Sequence, residues 1–150
     1  PAETVKVQAS TLIDALLKKD YVTFSKMTNP IIMNKMGGPT KMIESLKQMD
    51  EAFKKQGISF SKITIGTPTN IITVGKELQC TIPQTTEMKM AMGRAIAKST
   101  LIAITNDGGK KWVFIDAAGK DLKTLKTLLP NLSEKLVIPE KVQPQFLPNE

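Results

Sequence analysis

At Gly57 the period of the apolar residues changes from helical to alternating, and that change most constrains what the chain can fold into. Ahead of Gly57 apolar side chains return every three or four residues, the spacing that gives a helix one buried face. Beyond it they alternate, the spacing that gives a strand one buried face. Helices followed by a run of strands place the chain in the α+β class, because the sheet must cover its apolar face and the leading helices are the available cover.

The helical part divides at its turn residues. Val5, Ala9, Leu12, Ile13 and Leu16 share one face of an opening helix over 5–17, with Lys18 and Lys19 near its end, where cations suit the helix dipole. Asp20 can cap a short second helix carrying Tyr21, Phe24 and Met27, which Asn29-Pro30 stops. Gly37-Gly38-Pro39 opens a longer helix whose stripe is Met42, Ile43, Leu46, Met49 and Phe53, with Asp50/Lys54 and Glu51/Lys55 pairs on its exposed side. Gly57 ends it as a left-handed cap.

Strands are expected over 58–65, 71–74, 77–92, 95–105 and 110–116. The first slips in its alternation between Phe60 and Ile63, which implies a bulge. The third contains Pro83, which calls for an edge or a bend. Turns are expected at Gly75-Lys76, Gly93-Arg94 and Asn106-Asp107-Gly108-Gly109. Asp121 can cap a last short helix carrying Leu122, Leu125, Leu128 and Leu129, ended by Pro130. The expected body is residues 1–130, a sheet curled around its helices as a half-open cone with a pocket between them. Residues 131–150 carry Pro139, Pro144 and Pro148 and read as an extension without regular helix or central strand. Leu136, Val137, Ile138 and Phe146 imply that this extension lies against the body.

Composition narrows the function classes. With 41% hydrophobic and 23% charged residues the chain has the make-up of a globular domain. The formal charge is +7, yet of 21 basic residues only Arg94 is an arginine, and five Phe, one Tyr and one Trp leave little for base stacking. The expectation is no nucleic-acid partner. No apolar run is long enough for a transmembrane segment. The single cysteine, Cys80, excludes an internal disulfide framework and reads as a buried, inert thiol. The opening Pro-Ala-Glu-Thr resembles the start of a mature exported chain, so a periplasmic or secreted home is expected, with a cytoplasmic one as the alternative.

The opening helix over 5–17, the break in KKDYVTF, the helix start GGPTKMIESL and the hairpins ending in KKWVFID together resemble the nuclear transport factor 2-like superfamily. That superfamily includes ketosteroid isomerases and SnoaL-like polyketide cyclases. The resemblance covers residues 3–116 and implies a cystatin-like cone; the proline-rich tail is an addition to it. Its members include isomerases, dehydratases, cyclases, transport factors and plain binding or dimerising modules, so the resemblance implies no single activity. The catalytic members need a general base in the cone and often a Tyr or second acid for an oxyanion. This chain has no histidine, and its one tyrosine, Tyr21, falls on the short second helix. Asp116, on the same strand face as Trp112 and Phe114, and Asp14, on the opening helix, are the candidate bases. Each has a simpler reading: Asp116 as a strand-end residue bonding the next turn, Asp14 as a solvated helix residue.

Met88, Met90 and Met92 alternate and so point to one face, as core or dimer packing, as an adaptable pocket wall, or as soft copper ligands lacking a histidine or cysteine beside them. Asp107 to Trp112 resembles an Asp-box turn, in which an Asp ties the turn and a Trp packs beneath. Asn131-Leu132-Ser133 fits a glycosylation acceptor, relevant only to a eukaryotic secretory route. The reading that follows is a binding domain without catalysis, cofactor or metal. It would hold a small apolar ligand, or a protein partner, against Leu12, Leu16, Phe24, Phe53, Met88, Met90, Ile102, Trp112 and Phe114. The alternatives are an isomerase- or cyclase-like enzyme using Asp116 or Asp14, and an assembly module that forms a homodimer through the sheet.

Overall fold

The computed structural model describes residues 2–117, 120–139 and 143–148. Four helices come first: α1 (Ala2–Leu17), α2 (Tyr21–Met27), α3 (Pro30–Lys35) and α4 (Pro39–Lys55). They precede β1 (Ser59–Ile65), β2 (Ile72–Val74), β3 (Glu77–Met90), β4 (Gly93–Thr105) and β5 (Val113–Asp116), then α5 (Leu122–Leu128) and β6 (Gln145–Pro148). The protein is α+β, with N-terminal helices and an open six-stranded antiparallel sheet. Among the described residues no helix is long and apolar enough to cross a membrane.

Local chemistry sets the helix ends. At the end of α1 the Asp20 N–H donates to the Ala15 carbonyl at 2.8 Å and the Lys19 N–H to that of Leu16 at 3.1 Å. This is a left-handed cap in which Lys19, at φ 63°, takes the place glycine usually fills. The Asp20 carboxylate then accepts from the Thr23 N–H at 3.2 Å and the Thr23 hydroxyl at 2.7 Å, starting α2. Asn29-Pro30 does more than stop α2. Asn29 Oδ1 accepts from the Ile31 N–H at 2.9 Å and Pro30 takes the first turn of α3, a helix that the sequence reading had not anticipated. Gly57, at φ 71°, closes the turn after α4 as expected.

The sheet is built on β3 and β4, paired continuously from Leu78↔Thr105 to Met90↔Gly93. β1 and β2 share the outer edge of β3, and the register of β1 shifts between Phe60 and Lys62, where the alternation slips. Pro83 is tolerated inside the long strand because it sits at the gap between these two short ones. There the chain running on from β1 contributes single bonds, from the Gly66 N–H to the Pro83 carbonyl and from the Thr69 N–H to that of Thr81, both at 2.8 Å. β5 and β6 share the outer edge of β4, at 101–104 and 93–96 respectively. The tail therefore does contribute a strand, on the edge position that its prolines allow.

Both faces of the sheet carry a core. Under α1 and α2 lie Cys80, Ile82, Leu101, Trp112 and Phe114, packed against Val5, Ala9 and Leu12. On the opposite face Ile102 and Ile104 meet Leu125, Leu129, Leu132 and Leu136, from α5 and the tail. Gln79 joins tail to sheet: its amide N–H donates to the Asn131 carbonyl and its oxygen accepts from the Ser133 N–H, both at 2.9 Å. Of the tail residues named in advance, Leu136 is buried and Ile138 packs on this second core, while Val137 and Phe146 are exposed.

Candidate functional site

The helices and the sheet do not close fully on one another. Between them lies a cavity of about 210 Å³, walled by every helix of the N-terminal set and by the β5 edge of the sheet. Leu12, Ile13 and Leu16 reach it from α1, Phe24 and Thr28 from α2 and its cap, Ile32 and Met36 from α3 and its cap, and Met42 from α4. Spacings of four residues recur in that set because neighbouring turns of a helix present such pairs on one side. The sheet supplies Gln84, Leu101, Phe114, Ile115 and Asp116. Register explains the polar members: Gln84 is two residues beyond Ile82 on the helix-facing side of β3, and Asp116 pairs with Leu101 across β4 and β5.

The junction of α2 and α3 is fixed to β5. Thr28 bridges to Phe114 in parallel, and the Asn29 N–H donates to the Phe114 carbonyl at 2.9 Å. Leu12, Ile13, Leu101 and Phe114 are buried and form the floor, whereas Met36 and Asp116 are exposed and stand at the rim. Ile32 and Ile115 also pack against the second core, at the β5 edge of the sheet.

Of the nine wall residues named from sequence, the cavity brings together Leu12, Leu16, Phe24 and Phe114. Phe53 lines a neighbouring hollow of about 260 Å³ with Tyr21, Phe60 and the ion-paired Lys19, Asp50 and Lys54, and Leu16 belongs to both walls. Phe53 meets Phe60 edge-on there, with ring centroids 5.6 Å apart. Desolvation opposes the charge of Asp50, yet the ammonium groups of Lys19 and Lys54, each at 3.3 Å, hold its carboxyl below the usual value. Met88 and Met90 are half-buried farther along β3, outside both hollows, and Met92 lies beyond the strand, 78% exposed. Ile102 faces the second core, on the other side of the sheet. Trp112 is wholly buried in the first core without bordering either hollow.

Asp14 is exposed on α1 and outside the cavity wall, whereas Asp116 stands at the rim. Burial pushes the Cys80 thiol up to about 11, which keeps it protonated at neutral pH. Among the described residues no group of three or more His, Cys, Asp or Glu is placed to hold a metal ion.

The sequence reading missed Ile13, Thr28, Met42 and Ile115 as wall residues, as well as Gln84, Leu101, Ile32 and Met36. Signals for several of them existed. Gln84 continues the alternation of Cys80 and Ile82, so it is a polar residue at a core-facing position. Ile32 and Met36 lie four apart behind Asn29-Pro30, a pair that starts helices as readily as it stops them. Gln84 is 6% exposed, and its Oε1 has no hydrogen-bond partner. Its Nε2 reaches only the Thr86 hydroxyl, at 3.4 Å. Among the described residues the other buried side-chain atom in that condition is Trp112 Nε1, in the first core. No protein-family model matches this chain, and no curated protein matches it in sequence.

Proposed function

We propose that this chain is a binding domain whose cavity between helices and sheet takes a small apolar molecule. The observation that carries the reading is the cavity itself. Protein interiors pack as densely as organic crystals, and space lined by Leu, Ile, Phe and Met is normally filled by the protein. At about 24 cal/mol per Å³, an enclosed void of this size would forgo roughly 5 kcal/mol, an upper limit here because the rim is open. That is comparable to the whole stability of many domains, so an occupant offsets a large cost. Carboxylates do not favour the enzymatic reading: Asp116 is at the exposed rim and Asp14 faces away from the cavity.

The resemblance to nuclear transport factor 2-like proteins supports the same reading, since those domains hold their ligands between a curled sheet and its helices. The long paired β3 and β4, with the irregularity in β1, are the elements that such a curl would use.

Native mass spectrometry of the protein as isolated, before and after mild organic extraction, tests this. A bound small-molecule mass that extraction removes is the expected result. A bare mass in both spectra, together with no rise in melting temperature in the presence of small hydrocarbons or phenols, would sink the proposal.

A further inference from the structure

Two glutamines on β3 are buried to the same degree of consequence and treated differently. Gln79, fully buried, has both ends of its amide bonded, to Glu77 and Asn131 through nitrogen and to Ser133 through oxygen. Gln84, on the other face, has one end at the margin of a bond to Thr86 and the other end without any. A buried amide oxygen left unpaired is destabilising, and a domain keeps such a group only where something compensates. Gln84 lines the cavity together with Leu12, Leu101 and Phe114.

Resting on the cavity as a ligand site, we infer that Gln84 is its polar recognition point, and that the ligand is a small apolar alcohol or phenol whose hydroxyl meets the amide. A hydroxyl suits this position because it both donates and accepts, so it satisfies the open end of the amide whichever way the side chain is turned. A carboxylate does not: the rim carries Asp116, and the floor offers no cation among the residues that line it. Size agrees with a one-ring compound. A void of 150 Å³ takes benzene, so about 210 Å³ accommodates roughly eight to ten non-hydrogen atoms.

The test compares 4-ethylphenol with 4-ethyltoluene, which differ by a hydroxyl against a methyl group, on the full chain and on Gln84→Met. Methionine keeps the length and flexibility of glutamine and removes its polarity. Affinities come from nuclear magnetic resonance titration, with shifts mapped to the cavity-lining residues. The wild type is expected to prefer the phenol at least fivefold, although the hydrocarbon is the more apolar of the two. Gln84→Met is expected to abolish or reverse that order. If both probes bind in the cavity and the substitution leaves their ratio unchanged, the role of Gln84 is overturned while the cavity remains a ligand site. If neither probe shifts the cavity residues at any attainable concentration, both inferences fall. A second readout needs no ligand. The free Gln84→Met protein should melt above the wild type, having lost an unpaired buried oxygen; a lower melting temperature would mean that oxygen already has its partner, and would overturn the proposal.

Discussion

Single aspartates decide several of the local geometries. Asp107 is the clearest: its Oδ1 accepts from the Lys110 and Lys111 N–H groups, each at 3.0 Å, and from the Thr105 hydroxyl at 2.8 Å. The backbone bond from Lys111 is the largest influence holding this carboxyl below its ordinary value of 3.8, with Thr105 next and desolvation opposing. A depressed folded value means that the contribution to stability is complete above the ordinary value and is lost as pH falls through the folded one. Asp107→Ala is therefore expected to melt below the wild type at neutral pH, with the gap closing as pH drops beneath 3.8. Calorimetric melts across that range check it, and a gap that stays constant would show that ionisation of Asp107 contributes nothing. Residues such as Asp20, Asp107 and Asp121 were legible in the sequence because each bonds to partners within four positions of itself. Gln84 was not, because its importance depends on what fails to reach it from helices far away along the chain.

At the scale of elements, β6 depends on one glycine. Gly93 has φ 151° and pairs with Pro148, and a Cβ added there would run into the Leu147 carbonyl oxygen. Gly93→Ala is expected to detach the tail strand from β4 while leaving the β3–β4 pairing in place. Hydrogen exchange across 145–147 should accelerate strongly, with little change at 101–104; unchanged protection at 145–147 would refute the assignment of this contact to glycine. The sequence could place helices, bulge and turns in this protein because these follow from period and turn chemistry. It could not place β6. A strand of four residues with two prolines beside or within it has no alternation to read, and only the open edge of β4 makes it a strand. α3 was missed for a different reason: at six residues it is too short for its period to register against the stop signal at Asn29-Pro30.

Over the whole molecule, the sheet separates two interiors. Only one had been expected, under the leading helices, although residues 101–104 read Leu-Ile-Ala-Ile without alternation, the pattern of a strand covered on both sides. The cavity belonged to the same uncertainty: period tells which face of a helix is buried, but not how closely two buried faces approach. Because Ile82 and Leu125 lie in different cores, on opposite faces of the sheet, substitutions of the two should act independently. Ile82→Val should cost about 0.5–1.5 kcal/mol and Leu125→Ala about 2–5 kcal/mol in urea denaturation. The double variant should equal their sum to within about 0.5 kcal/mol. A larger coupling would show that packing on one face adjusts the other through the strand between them.

That partition also governs what an optical experiment can see. Trp112, the one tryptophan, and Phe114 lie in the core under the helices, whereas the core beneath α5 and the tail is wholly aliphatic. Indole emission will follow the first interior closely and pass over the second in silence. A sample whose tail-side packing has already come apart would still shine like the native protein, until the helices themselves let go.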